Sequence, residues 1–248
     1  LSPIITPNST DSYSEISIFI SPYNIAENAV TSKMFPVITL SDGAGTNAGE
    51  FSAELVEGTV VEKYAMSPAG LFPEIDTDGS LLLTLPLEYT WQPGQTNALM
   101  LSEVKDGKLS FKNLGGLVKF SVNNISKGCR IVVSSSTHIL CGTMKVTKDS
   151  EGNNILKGSN GGVNNVVTIT SGSTLNKQAF YLPLPVVDGI KLNVKVYDGT
   201  DDTPKLEKNT TLNIRRKQLV LMPTLTLPET ANAVVKDVSS SDAVNEAL

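Results

Sequence analysis

The sequence is poor in the residues that usually do chemistry. It has one histidine, His138, one tryptophan, Trp91, two cysteines, Cys129 and Cys141, and three arginines, Arg130, Arg215 and Arg216. A lone histidine leaves a multi-histidine metal site or a catalytic triad without its parts, and His138 is read as a strand or turn residue. The cysteines lack the C-x-x-C spacing of metal and redox sites. Net charge is −5 and the arginines are few, so no basic patch exists to neutralise phosphates, and nucleic acid is excluded as a partner. No apolar run approaches the ~20 residues of a membrane helix. The densest, Leu81–Leu87, is interrupted by Thr84 and Pro86. Helical periodicity is nearly absent, its best case being Asp242–Leu248 behind a Ser239–Ser241 cap. Leu1 opens into a Ser/Thr/Pro/Asn-rich stretch with no signal-peptide pattern, as expected of a mature or trimmed chain, and this does not argue for the cytoplasm.

What is present is alternation. The stretch KLSFKNLGGLVKFSV at Lys108–Val122 is a strand, a short break and a second strand. In the second, Val118, Phe120 and Val122 alternate with Leu117, Lys119 and Ser121, so one face is apolar and the other mostly polar. Lys191–Tyr197 is the cleanest case, with Leu192, Val194 and Val196 opposed to Lys191, Asn193, Lys195 and Tyr197. Earlier strands are expected at Glu15–Ile20, Phe35–Leu40, Glu50–Leu55, Thr59–Met66, Leu81–Leu85 and Ala98–Leu101. Later ones are expected at Leu109–Lys112, Leu117–Val122, Arg130–Val133, Ile139–Val146, Asn165–Thr170, Ala179–Leu182, Lys191–Tyr197, Thr210–Ile214 and Gln218–Leu227. Strands at ~8–12-residue intervals, bounded by Gly/Pro/Asn/Ser turns, predict an all-β protein of antiparallel sandwiches. With 40% hydrophobic and 18% charged residues, the 248-residue chain can bury a core.

The expected organisation is an N-terminal sandwich over 1–106 with a leader at 1–11, a C-terminal sandwich over 107–227, and an appendage over 228–248. The boundary is placed at the loop Lys105–Gly107. The appendage is small, polar and acid-containing, with one apolar patch at Val234–Val235 and Val238.

Few constellations carry chemistry. Two readings stand for the cysteines. If CRIVVSSSTHILC is a hairpin turning at Ser134–Ser136, Cys129 and Cys141 lie opposite each other and a disulfide is geometrically possible. Otherwise both are buried thiols acting as small apolar residues. Asp76-Thr77-Asp78-Gly79 opens like a calcium loop, but Leu81, Leu82 and Leu83 follow at once, which favours a hairpin turn. Asp198-Gly199-Thr200-Asp201-Asp202 is an acidic turn able at most to hold a divalent cation weakly. The serine clusters lack a nucleophile elbow. Tyr89 and Trp91, in a stretch that runs on to Pro93, are candidate sugar-stacking residues in a loop, against the plainer reading of Trp91 as a lid over a core edge. No catalytic residue, cofactor or metal is expected.

Three segments carry a resemblance. Lys63-Tyr64-Ala65-Met66-Ser67-Pro68-Ala69 resembles a "Y-A-x-Y-P" strand, with Met66-Ser67 where an aromatic residue before proline is more usual. Leu83-Thr84-Leu85-Pro86 through Gln95, then Leu109–Val122, is similar to an "L-x-F-x-N-L-x-G-x-L" passage between domains. Phe180-Tyr181-Leu182-Pro183-Leu184-Pro185 and Ile214-Arg215-Arg216-Lys217-Gln218-Leu219-Val220 resemble late "Y-x-P-x-P" and "I-x-R-N" strands, Lys217-Gln218 departing from the usual Asn. The three segments resemble packing motifs of the fimbrillin family, subunits of type V pili of Bacteroidales, and the resemblance runs from about Val37 to Leu227.

The resemblance implies two tandem transthyretin-like, Greek-key sandwiches. It implies a fimbrial subunit on the cell surface, held at the outer membrane by a lipid anchor not present in this sequence. Its implied partners are other fimbrial subunits, self or related, and host or bacterial surface ligands. It also implies assembly by strand addition, in which loss of the first strand opens a groove that a neighbour's extended segment fills. Ile16, Ile18 and Ile20 would then be the groove plug. The resemblance implies that an arginine-specific protease removes that strand, but no arginine precedes Arg130 and the first basic residue is Lys33, so either the cut falls upstream of Leu1 or this subunit is not matured that way. The appendage is a donor candidate by position alone. The alternative is a non-polymerising surface lipoprotein that binds glycan through loops at one end of a sandwich. A β-sandwich hydrolase rests only on analogy of fold.

Overall fold

The computed structural model describes residues 15–21, 37–42, 50–51, 60–68, 74–76, 78, 80–91, 98–103, 109–158, 165–172 and 178–227. Among them the protein is all-β, with no helix. The expected alternation is visible as burial. In the strand Val187–Tyr197, Ile190, Leu192, Val194 and Val196 are at most 2% exposed, while Lys191, Asn193, Lys195 and Tyr197 face outward. A period of two builds such a two-faced ribbon, and the apolar face must find a second sheet.

The strands form four sheets. The first is antiparallel and six-stranded, in the order β3 (Glu50–Phe51), β2 (Val37–Asp42), β1 (Glu15–Ser21), β4 (Val60–Ser67), β8 (Met100–Glu103), β9 (Lys112–Asn113). The second runs β13 (Asn154–Leu156), β12 (Gly142–Lys148), β6 (Leu81–Leu85), β5 (Glu74–Ile75). The third runs β17 (Leu206–Ile214), β16 (Val187–Tyr197), β11 (Arg130–Ser135), β14 (Val166–Ser171), β7 (Glu88–Trp91), the last pair being parallel. In the fourth, β10 (Gly116–Asn123) is flanked by antiparallel β15 (Gln178–Leu184) on one side. On its other side are parallel β18 (Leu219–Leu221) and β19 (Leu225–Thr226).

The third and fourth sheets share one core. Val118, Phe120 and Val122 of β10 and Phe180 and Leu182 of β15 join Ile131, Val133, Val167 and Ile169 in a single apolar cluster. The boundary expected at 106 does not follow sheet membership. β6 pairs with β12 and β7 with β14, so residues before 106 complete sheets of the C-terminal half. The chain then returns, β8 pairing with β4 and β9 with β8. The reason is burial: Leu81, Leu83, Leu85 and Trp91 are all at most 4% exposed within the same cluster. Of the expected strands, Gln218–Leu227 is broken into β18 and β19, and β5, β7 and β13 are additions. The leader 1–11 and the appendage 228–248 lie outside the described residues.

Candidate functional site

The feature that bears most directly on function is the place of β1. It lies inside its sheet, antiparallel to β2 on one side and to β4 on the other. Ile16 is in register with Ile38, Ile18 with Ala65 and Ile20 with Val61, with a bulge in the pairing between Ile18 and Ile20. Thus the three isoleucines expected to plug a groove belong to a strand whose backbone satisfies two neighbours at once. Beyond it, β4 is anchored: Ala65 and Met66 are 0% exposed, and β4 pairs with β8 along its other edge. Removal of β1 would leave two facing rows of unpaired N–H and C=O groups, on β2 and β4, one strand-width apart. Such edges recruit another strand.

The sugar-stacking expectation for Tyr89 and Trp91 is overturned. Both lie on β7, a strand rather than a loop. Trp91 is 1% exposed, and its ring meets Phe180 edge-on at 5.9 Å. Tyr89 meets the same Phe180 ring at 5.8 Å, and burial pushes its hydroxyl pKa up. An aromatic ring stacks on a sugar only through an open face, and Trp91 has none. The missed signal was the alternation in Glu88-Tyr89-Thr90-Trp91, where alternate residues are exposed and at least half-buried.

The disulfide is overturned as well. The hairpin it required does not form, because β11 pairs with β14 and β16 instead of with the residues leading to Cys141. Cys129 and Cys141 are free, buried thiols. The Cys141 thiol donates to the Val166 carbonyl at 3.2 Å. Burial pushes the Cys129 thiol from 9.0 up to about 11, and that of Cys141 upward too. Two results are therefore expected. A thiol reagent at pH 8 reacts slowly with native protein and rapidly with two thiols per chain in denaturant. A thiol kept protonated by the fold stabilises below its ordinary value and loses that contribution as pH rises toward its folded value. Stability should thus fall between pH 9 and about 11, in part through Cys129, and Cys129→Ala should flatten that slope in alkaline melts.

Among the described residues neither acidic turn gathers a cation site. Lys145 pairs with both Asp76 and Asp78, in the hairpin turn between β5 and β6. In the 198–202 turn the Arg130 guanidinium donates to the carbonyls of Gly199 and Asp201, and Lys205 pairs with the Asp201 carboxylate. Among the described residues no cluster of His, Cys, Asp and Glu suits a metal ion. The His138 ring nitrogen Nδ1 sits 2.9 Å from the Thr137 hydroxyl, part of a turn organised by Ser135 Oγ, which accepts from the Thr137 and His138 amides.

No family model and no curated protein matches the sequence. Solved structures do. A proposed cell adhesion protein from Bacteroides uniformis is 12% identical, with 79% of this chain and 76% of that one covered at a TM-score of 0.40. A second from Bacteroides ovatus is 13% identical, with 85% and 81% covered at 0.42. A fimbrial protein from Bacteroides ovatus is 10% identical, with 91% of this chain but 50% of that one covered at 0.25. These three neighbours of the all-β chain are two proposed cell adhesion proteins and one fimbrial protein of Bacteroides, all at low identity.

Proposed function

We propose that the protein is a structural and adhesive subunit of cell-surface fimbriae that assembles by strand addition, with no reacting atoms of its own. Its partners are then other fimbrial subunits, and its location is the cell surface at the outer membrane, held there by a lipid anchor. The observation that carries the reading is the two-sided pairing of β1. A strand paired along both edges, in a sheet separate from the third and fourth, leaves two neighbouring strand edges open when it is lost. The packing motifs at Lys63–Ala69, Leu109–Val122 and Ile214–Val220 support the same reading.

The sequence supplies a handle. Lys33 is the only basic residue before Lys63, and it lies between β1 and β2. A cut after Lys33 severs β1 from the chain while leaving it paired. A fluorescent peptide spanning Ser14–Pro22 is expected to enter the cut protein, raising its anisotropy, and to leave uncut protein unchanged. Uptake should fall at least tenfold for a peptide with Ile16, Ile18 and Ile20 replaced by serine, since each buried aliphatic side chain contributes ~1.5–3 kcal/mol. Absence of uptake after complete cutting would count against strand addition at this groove.

A further inference from the structure

The outer face of the third sheet carries an open trough of about 640 Å³. Register builds it. Ser134 stands beside Asn193 and Asn193 beside Asn209, in one row across β11, β16 and β17, and Lys191 stands beside Thr211 in the next. Because Val133, Leu192 and Val194 are buried, the alternate residues Ser134, Lys191 and Asn193 turn outward together. The rim is Ser136, with Asn165 behind it. It is held in place: Asn165 Nδ2 donates to the Ser135 carbonyl at 2.8 Å, and the Lys191 amide donates to Thr137 Oγ1 at 3.2 Å.

The polar groups left over define a chemistry. Asn193 Nδ2 donates to Glu207 Oε1 at 2.6 Å and to Asn209 Oδ1 at 2.8 Å, which leaves Asn193 Oδ1 as an acceptor and Asn209 Nδ2 as a donor. The hydroxyls of Ser134, Ser136 and Thr211 and the ammonium of Lys191 have no side-chain partner among the described residues. Glu207 is engaged by Asn193 and by Lys195, at 3.8 Å, so among the described residues the uncommitted charge lining the trough is the positive one of Lys191. Among the described residues no aromatic side chain lines it. Many neutral donors and acceptors around a single cation suit a ligand rich in hydroxyls and bearing one carboxylate. One lysine is too little for a polyphosphate chain, and the absence of a ring disfavours a planar ligand.

We propose that this trough binds acidic oligosaccharides of the uronic-acid type. The carboxylate meets Lys191, and the sugar hydroxyls meet Asn193, Asn209 and the Ser134, Ser136 and Thr211 hydroxyls. This goes beyond strand exchange: it needs one folded subunit and no neighbour, so it can fail or hold independently of the assembly reading. Without a stacking platform the contact is weak, with a Kd on the order of 1 mM per site, and it gains strength from repetition along a multivalent fibre.

The test is a nuclear magnetic resonance titration of uncut monomer with tetragalacturonate, and with maltotetraose as the neutral comparison. Saturable shifts are expected on β11, β16 and β17 with the acidic sugar, and at least threefold weaker binding of the neutral one. Lys191→Ala should erase that preference, and Asn193→Ala should weaken both sugars about tenfold. Thr211→Arg, which fills the trough at an exposed strand position, should abolish binding with the fold retained. Lys208→Ala, on the same strand but outside the trough, should bind like the parent protein. No saturable shift with tetragalacturonate, or shifts indifferent to both Lys191→Ala and Thr211→Arg, would overturn the proposal.

Discussion

Replacing Gly115 with alanine is expected to cost the protein on the order of 4 kcal/mol, one of the two largest effects foreseen for a single substitution. A Cβ at this position would lie 2.2 Å from the Leu184 carbonyl oxygen, inside any contact distance, and the obstacle is backbone. Gly116 is nearly as restricted, its Cβ falling 2.7 Å from the Arg215 carbonyl oxygen and 2.8 Å from Ile214 Cγ2. Both glycines lie where β10 enters its sheet, with β15 on one side and the 214–218 turn over it. That turn is tied down by hydrogen bonds: Lys217 N donates to Gly115 O at 3.0 Å, and Leu117 N donates to Gln218 O at 2.9 Å. A methyl group can be admitted only by pulling β10 away from one of these partners, which loosens Val118 and Phe120, both 0% exposed. For a chain of this size each kcal/mol lowers the melting temperature by ~2–4 °C, so Gly115→Ala should melt more than ~8 °C early by circular dichroism. Gly152→Ala is the comparison. Its Cβ meets nothing within 4 Å, but its φ is +77°, so only a local cost of about 1 kcal/mol is expected. A Gly115→Ala protein melting no lower than Gly152→Ala would show that the close approach does not exist.

Trp91→Ala is the second large effect, about 3–5 kcal/mol, as for other fully buried aromatic truncations. Trp91 and Phe180 are each 1% exposed and meet edge-on at 5.9 Å, a contact that adds ~0.5–1.5 kcal/mol to simple burial. Trp91→Phe keeps a ring against Phe180 and should lose less than half as much. Chemical denaturation with intrinsic and extrinsic probes separates the two. This result also discriminates functions, because an exposed sugar-stacking tryptophan would be lost at no cost in stability. A Trp91→Ala protein of unchanged stability would reopen that reading.

Most strands were legible because one buried face imposes a period of two, and the sequence shows that period locally. Val118, Phe120 and Val122, and Leu192, Val194 and Val196, announce both their strands and the faces they bury. Pairing is not local. Nothing in CRIVVSSSTHILC shows that its first strand takes β14 and β16 as neighbours, so the sequence leaves both a hairpin with a disulfide and a pair of buried thiols open, and the structure has the thiols. For the same reason the passage of β6 and β7 into sheets of the C-terminal half could not be read from an alternation that stops at each strand end. β7 reads as a loop in the sequence because Pro93 and a single tryptophan suggest one. The break at Asn113-Leu114-Gly115-Gly116 was visible, but its necessity depends on Leu184 and Arg215, far away in sequence. The groove-plug expectation for Ile16, Ile18 and Ile20 came from alternation and resemblance together, and the central position of β1 could be known only from its pairing with β2 and β4. The polar trough had no sequence signature, since its residues alternate like any solvated strand face and are assembled by cross-strand register.

The central claim is that subunits join by exchanging backbone hydrogen bonds at the place β1 occupies. It is tested most directly by native mass spectrometry of the protein cut after Lys33. The account predicts a ladder of species spaced by one cut subunit, each junction accompanied by release of one β1-containing fragment. A population that remains monomeric after complete cutting, with every β1 fragment still bound, would contradict it.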